Sequence, residues 1–269
     1  MWSSRGSVTG MGLVDYSFAD DTARITLVDP ERGNPLHPAS VHELRGAVRR
    51  AGADQARVIV LAATGRFFCV GGDLPAFAGA ADMGELVDDL AAELHQVISE
   101  LVRSEAIVVS VVQGAAAGAG FPLAMAADLV VAADAASFTC AYTKVGLSVD
   151  GSTSLLVHSI GLHRALRLAL LNDTMTAEEA HLAGLVARVV PAAELDAAVD
   201  DVVARVLTSA PVALALTKRL LRDVAEPAPE SAMRLEAIGI RAAATTSDAR
   251  EGVSAFVEKR APRFGPQQH

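Results

Sequence analysis

Residues 108–128 read VVSVVQGAAAGAGFPLAMAAD. The β-branched start predicts a buried strand, residues 115–120 a turn of small residues, and the apolar continuation from about Ala119 a helix. A strand that turns into a helix aims the unpaired N–H groups of the first helical turn, with the positive end of the helix dipole, at whatever occupies the turn. Gly118, Ala119 and Gly120 leave the backbone open to close approach. Upstream, residues 57–63 (RVIVLAA) read as a strand buried on both faces, and residues 68–74 (FCVGGDL) carry a second glycine turn. Two such turns, each offering a backbone amide, can build a two-donor oxyanion hole.

Around these stretches the chain alternates short strands with helices. Residues 24–28 and 129–133 read as strands, and residues 40–50 as a helix with Val41, Leu44, Ala47 and Val48 at helical spacing and Ser40 as a possible N-cap. Residues 79–84 form a small-residue linker before a long amphipathic helix over 85–102. From Leu162 onward the pattern turns helical, over 164–171, 192–207, 210–224 and 230–244. Thr176 with Glu179 fits a capping box. Residues 1–12 read as a disordered lead, and a boundary near residue 207 separates a core over 13–207 from a helical region over 208–269.

A chain of 269 residues can bury a sizeable core, and 51% hydrophobic with only 4% aromatic residues means that Ala, Val and Leu must build it. A net charge of -9 argues against a nucleic-acid binder, which needs a basic face, yet leaves room for a phosphate held by a few local cations and amides. Cys69 and Cys140 are too few for a disulfide framework, and no Cys/His cluster has metal-ligand spacing. With no signal-peptide pattern and no membrane-spanning apolar run, a soluble cytoplasmic protein is expected.

FCVGGDL at 68–74, QGAAAGAG at 113–120 and REGVSAFVEKR at 250–260, in that order and spacing, resemble the crotonase, or enoyl-CoA hydratase/isomerase, superfamily. The resemblance runs from about Ala23 to Phe264. It implies an α/β fold, the crotonase (ClpP-like) spiral of ββα units, with an acyl-CoA site in the core. It also implies a C-terminal helical region that packs neighbouring subunits into trimers or dimers of trimers. The oxyanion-hole amides implied by the family pattern are those of Gly72 and Ala119, which would hold a thioester oxygen as it gains enolate charge. One such donor is worth about 3 kcal/mol in the transition state.

The departures from the family pattern narrow the chemistry. Family hydratases use two glutamates, and Pro122 and Tyr142 stand at those positions. Simple hydration needs a positioned acid/base, so it is not the expected activity. A carboxylate returns at Asp150, within KVGLSVDGS at 144–152, where several family isomerases carry an aspartate that shuttles one proton between substrate carbons. Read from the residues alone, Val-Asp-Gly-Ser is also ordinary turn chemistry. The family's 4-chlorobenzoyl-CoA dehalogenases similarly align a nucleophilic Asp with Asp150, an aromatic residue with Tyr142 and a His with His95. His95 lies beside Leu94, Ile98 and Leu101, and its position alone supplies no acid/base partner, so a plain helix-face histidine stays open beside a catalytic one. Tyr142 reads as a wall of the acyl pocket.

For the CoA moiety, the resemblance implies Val70, Asp73 and Leu74 along the adenine, with Phe256 and Lys259 from this or a neighbouring subunit. The expectation is an acyl-CoA enzyme, an enoyl-CoA isomerase in type, with Asp150 as proton carrier. Coenzyme A is part of the substrate, and no metal, flavin or nicotinamide motif is present. A non-catalytic CoA-binding subunit is the alternative from another class. A serine peptidase on the related Clp-protease spiral needs a nucleophilic Ser at the oxyanion turn, where Ala115 to Ala117 offer none.

Overall fold

The computed structural model describes residues 12–225 and 228–265; apart from Gly12, the expected disordered lead lies outside them. The chain enters through a hairpin of β1 (Val14–Ala19) and β2 (Thr22–Leu27), turned by Asp20 and Asp21 at φ 49 and 58°. Positive φ at both central residues matches the twist of the paired strands. The strands that follow are β3 (Val58–Ala63), β4 (Ile107–Val112), β5 (Ala115–Ala117), β6 (Leu129–Ala133), β7 (Ser137–Thr139), β8 (Met175–Thr176) and β9 (Arg188–Val190). They form one sheet in the order β1-β2-β3-β4-β6-β9 and a second in the order β5-β7-β8.

Each turn of the chain places one strand in the large sheet and the next in or beside the small one. β4 is followed by β5, β6 by β7, and β3 by Cys69, which bridges to Ala116 of β5. Helices then return the chain: α1 (Pro38–Ala53) between β2 and β3, α2 (Leu74–Gly79) and α3 (Met83–Arg103) between β3 and β4, and α4 (Gly120–Met125) between β5 and β6. From β2 to β9 the large sheet is parallel. Parallel strands are covered on both faces, as the unbroken apolar run of β3 predicts. Val58, Val60, Val109, Val111 and Val131 face α8 (Leu195–Leu207), whereas Ile59, Leu61, Val108 and Val112 face the main core with α1 and α3.

Two expectations shift. Residues 115–117 form strand β5 rather than a turn, because pairing with Ser137–Thr139 overrides the poor strand propensity of alanine. Helix α1 starts before Ser40: Pro38 occupies its first position, and Ser40 Oγ accepts the His37 N–H at 3.0 Å. The remaining helices are α5 (Leu156–Ile160), α6 (Leu162–Leu171), α7 (Ala177–Leu182), α9 (Pro211–Ala225), α10 (Pro229–Ala244) and α11 (Ser247–Val257). Thr176 and Glu179 form the capping box of α7.

The helices beyond Leu207 fold back on their own core. α10 lies along α3, and α11 lies against α2 and the turn at 143–145. Gly146 and Gly252 permit that docking, since a Cβ on either would come within 2.6 Å of opposing backbone. Lys218 of α9 is buried, with Nζ 2.8 Å from both Asp128 Oδ2 and the Ala106 carbonyl, so its charge is met where burial lowers its proton affinity. No helix among the described residues is long and apolar enough to cross a membrane.

The spiral's tightest point is Gly114, where a Cβ would lie 2.0 Å from the Arg66 carbonyl oxygen. Gly114→Ala is expected to destabilise the fold by about 2 kcal/mol or more. Gly46→Ala, inside α1 with nothing within 4 Å, is expected to stabilise it by about 1 kcal/mol. Urea unfolding midpoints moving in opposite directions would bear this out.

Candidate active site

The two glycine turns meet. Gly71 holds φ 89° and Gly118 φ 52°, both in the left-handed region that disfavours a side chain. A Cβ on Gly71 would lie 2.7 Å from the Ala117 carbonyl and 3.2 Å from the Ala119 nitrogen. Gly120 similarly backs onto Cys69, whose carbonyl would lie 2.4 Å from an added Cβ. Ala119 is the residue capping the start of α4. Among the described residues neither the Gly72 nor the Ala119 N–H donates to a protein acceptor, while their neighbours do: Asp73 to Leu36 and Gly118 to Thr139. Two unspent donors on adjoining turns are what an oxyanion hole requires.

Both residues line a cavity of about 290 Å³. Its walls are apolar: Val87, Leu90, Ala91 and Leu94 from one face of α3, Phe77 from α2, and Ile240 and Phe256 from the C-terminal helices. Among the described residues that line it, Asp150 is the carboxylate. Asp150 is only 3% exposed, and its Oδ1 lies 2.9 Å from His95 Nε2. His95 itself is not on the cavity wall; it stands behind Asp150, as a partner to the carboxylate rather than a group that meets an acyl chain. The contact supplies the acid/base partner that its place on the helix did not reveal.

The turn carrying Asp150 is held from three sides. Tyr142 Oη donates to the Asp150 carbonyl at 2.9 Å, and Thr153 Oγ1 donates to the same oxygen at 2.6 Å. Burial, then the Asp150 charge, pushes the Tyr142 hydroxyl well above its ordinary range, so it keeps its proton as a donor. On the third side, Glu236 of α10 accepts the N–H groups of Ser152 and Ser154 at 2.7 and 2.6 Å. Burial raises the Glu236 proton affinity, hydrogen bonding from the Ser154 side chain and from the Ser154 and Ser152 amides opposes it, and the Asp150 charge raises it further. Donor atoms of His95, Asp150 and Glu236 lie within 4.8 Å of one another, close enough to hold a metal ion in principle. Both Glu236 oxygens are already engaged by amides and His95 by Asp150, so the cluster suits proton handling better than coordination.

This chain also resembles known proteins along nearly its whole length. Residues 18–267 match the family model described as enoyl-CoA hydratase/isomerase. The chain belongs to the enoyl-CoA hydratase/isomerase family. A Rhodobacter capsulatus protein named "Probable enoyl-CoA hydratase" is 38% identical, covering 93% of this chain and 97% of that protein. The 1,2-epoxyphenylacetyl-CoA isomerase of Escherichia coli is 34% identical, covering 89% of this chain and 93% of that enzyme. A crystal structure of an enoyl-CoA hydratase from Mycobacterium avium subsp. paratuberculosis K-10 superposes with a TM-score of 0.87 at 31% identity, covering 95% of this chain and 99% of that one. The α/β spiral with its helical C-terminal region is thus the crotonase fold.

The residues singled out by the family pattern fall into two groups. Val70, Gly72, Leu74, Ala119, Tyr142, Asp150 and Phe256 converge on the one cavity. Asp73 and Lys259 are not on its wall. The Asp73 carboxylate caps α2 through the Ala76 N–H and is paired with Arg32. Lys259 follows the end of α11 at φ 56°. Sequence reasoning passed over Lys144, an exposed cation at the cavity rim near Phe256, and Glu236. Glu236 did leave a signal, as a carboxylate on the apolar face of α10 that carries Met233, Ile240 and Ala244.

Burial pushes the thiols of Cys69 and Cys140 up to about 12 from an ordinary 9.0, so both resist ionisation in the native state. A raised thiol makes its stabilising contribution below the unfolded value and loses it as pH climbs through the folded one. Stability is therefore expected to fall with pH from about 9 upward. Native protein at pH 8 should leave both thiols unlabelled by a disulfide reagent, with both labelled after unfolding; rapid native labelling of Cys69 would mean that the oxyanion turns open.

Proposed function

We propose that this family member is an acyl-CoA enzyme that stabilises a thioester enolate and relocates one proton, an enoyl-CoA isomerase. The observation that carries the reading is Asp150: among the described residues it is the carboxylate lining a cavity that also holds two unspent amides. The positions where family hydratases carry glutamates hold Pro122 and Tyr142, neither of which suits water activation near neutral pH. The Escherichia coli relative is named an isomerase of an acyl-CoA, which supports an isomerase reading over a hydratase one.

The chemistry follows from the geometry. With the thioester carbonyl of a 3-enoyl-CoA between the Gly72 and Ala119 amides, Asp150 removes a proton from the α-carbon between that carbonyl and the double bond. The electron pair moves onto the carbonyl oxygen as the enolate forms, and the two N–H donors stabilise that charge. Asp150 then returns the proton at the other end of the allylic system, and the double bond moves. Nothing is consumed, and coenzyme A serves only as the substrate's handle. Val70, Leu74 and Phe256 flank the path a pantetheine chain would take, with Lys144 at the cavity rim, and Lys259 off its wall just past α11, as cations for the phosphates of coenzyme A.

A second reading draws support from the 2.9 Å contact of His95 with Asp150. An aspartate nucleophile with a histidine base fits 4-chlorobenzoyl-CoA-dehalogenase-like or hydrolytic acyl-CoA chemistry. For assembly we propose a homotrimer or dimer of trimers in the cytoplasm. Support comes from exposed leucines at four-residue spacing, Leu162, Leu166 and Leu170 on α6 and Leu216 and Leu220 on α9, which form apolar stripes suited to subunit contact.

Incubation with 3-enoyl-CoA and 2-enoyl-CoA in deuterated water, read by mass and double-bond position, is expected to show deuterium uptake and a shifted double bond. Asp150→Asn should lower both by about a thousandfold, within the range that a positioned acid/base contributes. Water addition that survives in the variant would overturn the isomerase reading. Chloride release from 4-chlorobenzoyl-CoA would favour the second reading, and tight CoA-ester binding without exchange a non-catalytic subunit.

A further inference from the structure

Glu236 is a carboxylate where α10 otherwise turns apolar residues inward, and it is 6% exposed. Such a group is tolerated only where hydrogen bonds replace its hydration. Its two oxygens accept successive amides of the turn that follows Asp150, from Ser152 and Ser154. In that turn Gly151 and Ser152 hold φ 70 and 72°. A serine in this region is disfavoured, so the conformation needs an external hold, and the carboxylate supplies one at two points. A side chain at 151 is disfavoured both by its φ and by Pro122, whose Cγ would lie 3.2 Å from an added Cβ.

The same carboxylate lies beside the His95–Asp150 pair, with donor atoms of all three within 4.8 Å of one another. The titratable groups facing it are His95 from α3, Asp150 from the turn and Tyr142 from the segment after β7. Two further ion pairs, Arg103–Glu230 and Arg241–Asp88, span the α3–α10 seam, but each lies toward solvent and is neutral in itself.

We propose that Glu236 is the positioning residue of this site: it clamps the turn that aims Asp150 into the cavity. The C-terminal helix α10 thereby contributes to the chemistry through the backbone of another element, without touching substrate. The inference rests on the reading of Asp150 as proton carrier, and its test separates the two.

The full-length protein, Glu236→Gln and Glu236→Asp are compared with 3-hexenoyl-CoA, and hydrogen exchange of the Ser152 and Ser154 amides is followed by NMR in the ligand-free proteins. For both variants, kcat should fall about tenfold or more with KM changed less than about twofold, the pattern of a lost transition-state interaction rather than lost binding. Exchange at the Ser152 and Ser154 amides should quicken by about tenfold or more in both variants, while amides of the strand cores keep their wild-type protection. Wild-type kcat in Glu236→Asp, which is too short to span both amides, would overturn the clamp, as would unchanged exchange at the two amides. Should the wild-type protein show no proton relocation, the isomerase reading fails, and the amide exchange decides the role of Glu236 independently.

Discussion

The structure depends on one steric constraint, the close passage of two backbone turns that leaves no room for a side chain between them. Gly71 and Gly118 hold left-handed conformations against each other, and Gly120 closes onto Cys69. A hydrogen bond from the Ala117 N–H to the Cys69 carbonyl at 2.9 Å ties the two turns together. Because the donors beside those glycines belong to the backbone, their direction is fixed by strands β3 to β5 rather than by rotamers. A preorganised pair of amides needs no rearrangement when charge develops, which is the source of its value in catalysis. The rest of the fold supplies what the turns lack: an apolar wall from α3, and the Asp150 carboxylate from the segment after β7.

The C-terminal helices complete that wall rather than standing apart from it. Ile240 and Phe256 line the cavity, and Glu236 holds the turn of Asp150 across 82 residues of chain. A region expected chiefly to assemble subunits therefore also shapes the site within its own subunit. The two roles are compatible, since α10 presents Met233, Glu236 and Ile240 inward and Leu235 and Ile238 outward.

How much of this was legible in the sequence varies with how local each cause is. The glycine turns could be read because only glycine fits the backbone they require, and because strand runs precede them. Helix α3 and the capping box of α7 could be read from periodicity and local polar spacing. Strand β5 could not, since three alanines carry no strand preference and pair only because Ser137–Thr139 arrives alongside. Nor could the meeting of His95 with Asp150, separated by 55 residues and joined only by the docking of α3 beside the turn. The family pattern pointed to each of the two residues; only the fold gives them to each other. Asp73 shows the opposite failure, since its carboxylate is spent on a helix cap and on Arg32 rather than left facing a ligand.

The replaced glutamates are best understood as one rearrangement. Pro122 lies against Gly151, with its Cγ in near contact with where a side chain would begin, so the first glutamate position has become packing for the Asp150 turn. Tyr142 has become a buried hydroxyl donor to the Asp150 carbonyl, so the second position also serves that turn. Both substitutions remove a carboxylate from the cavity and add a constraint on the one that remains. Trading two carboxylates for a packing contact and a neutral donor leaves Asp150 as the carboxylate that lines the cavity, among the described residues, and fixes the turn that carries it. The absence of glutamates at these two positions and the constraints on the Asp150 turn are, on this view, two consequences of the same local packing.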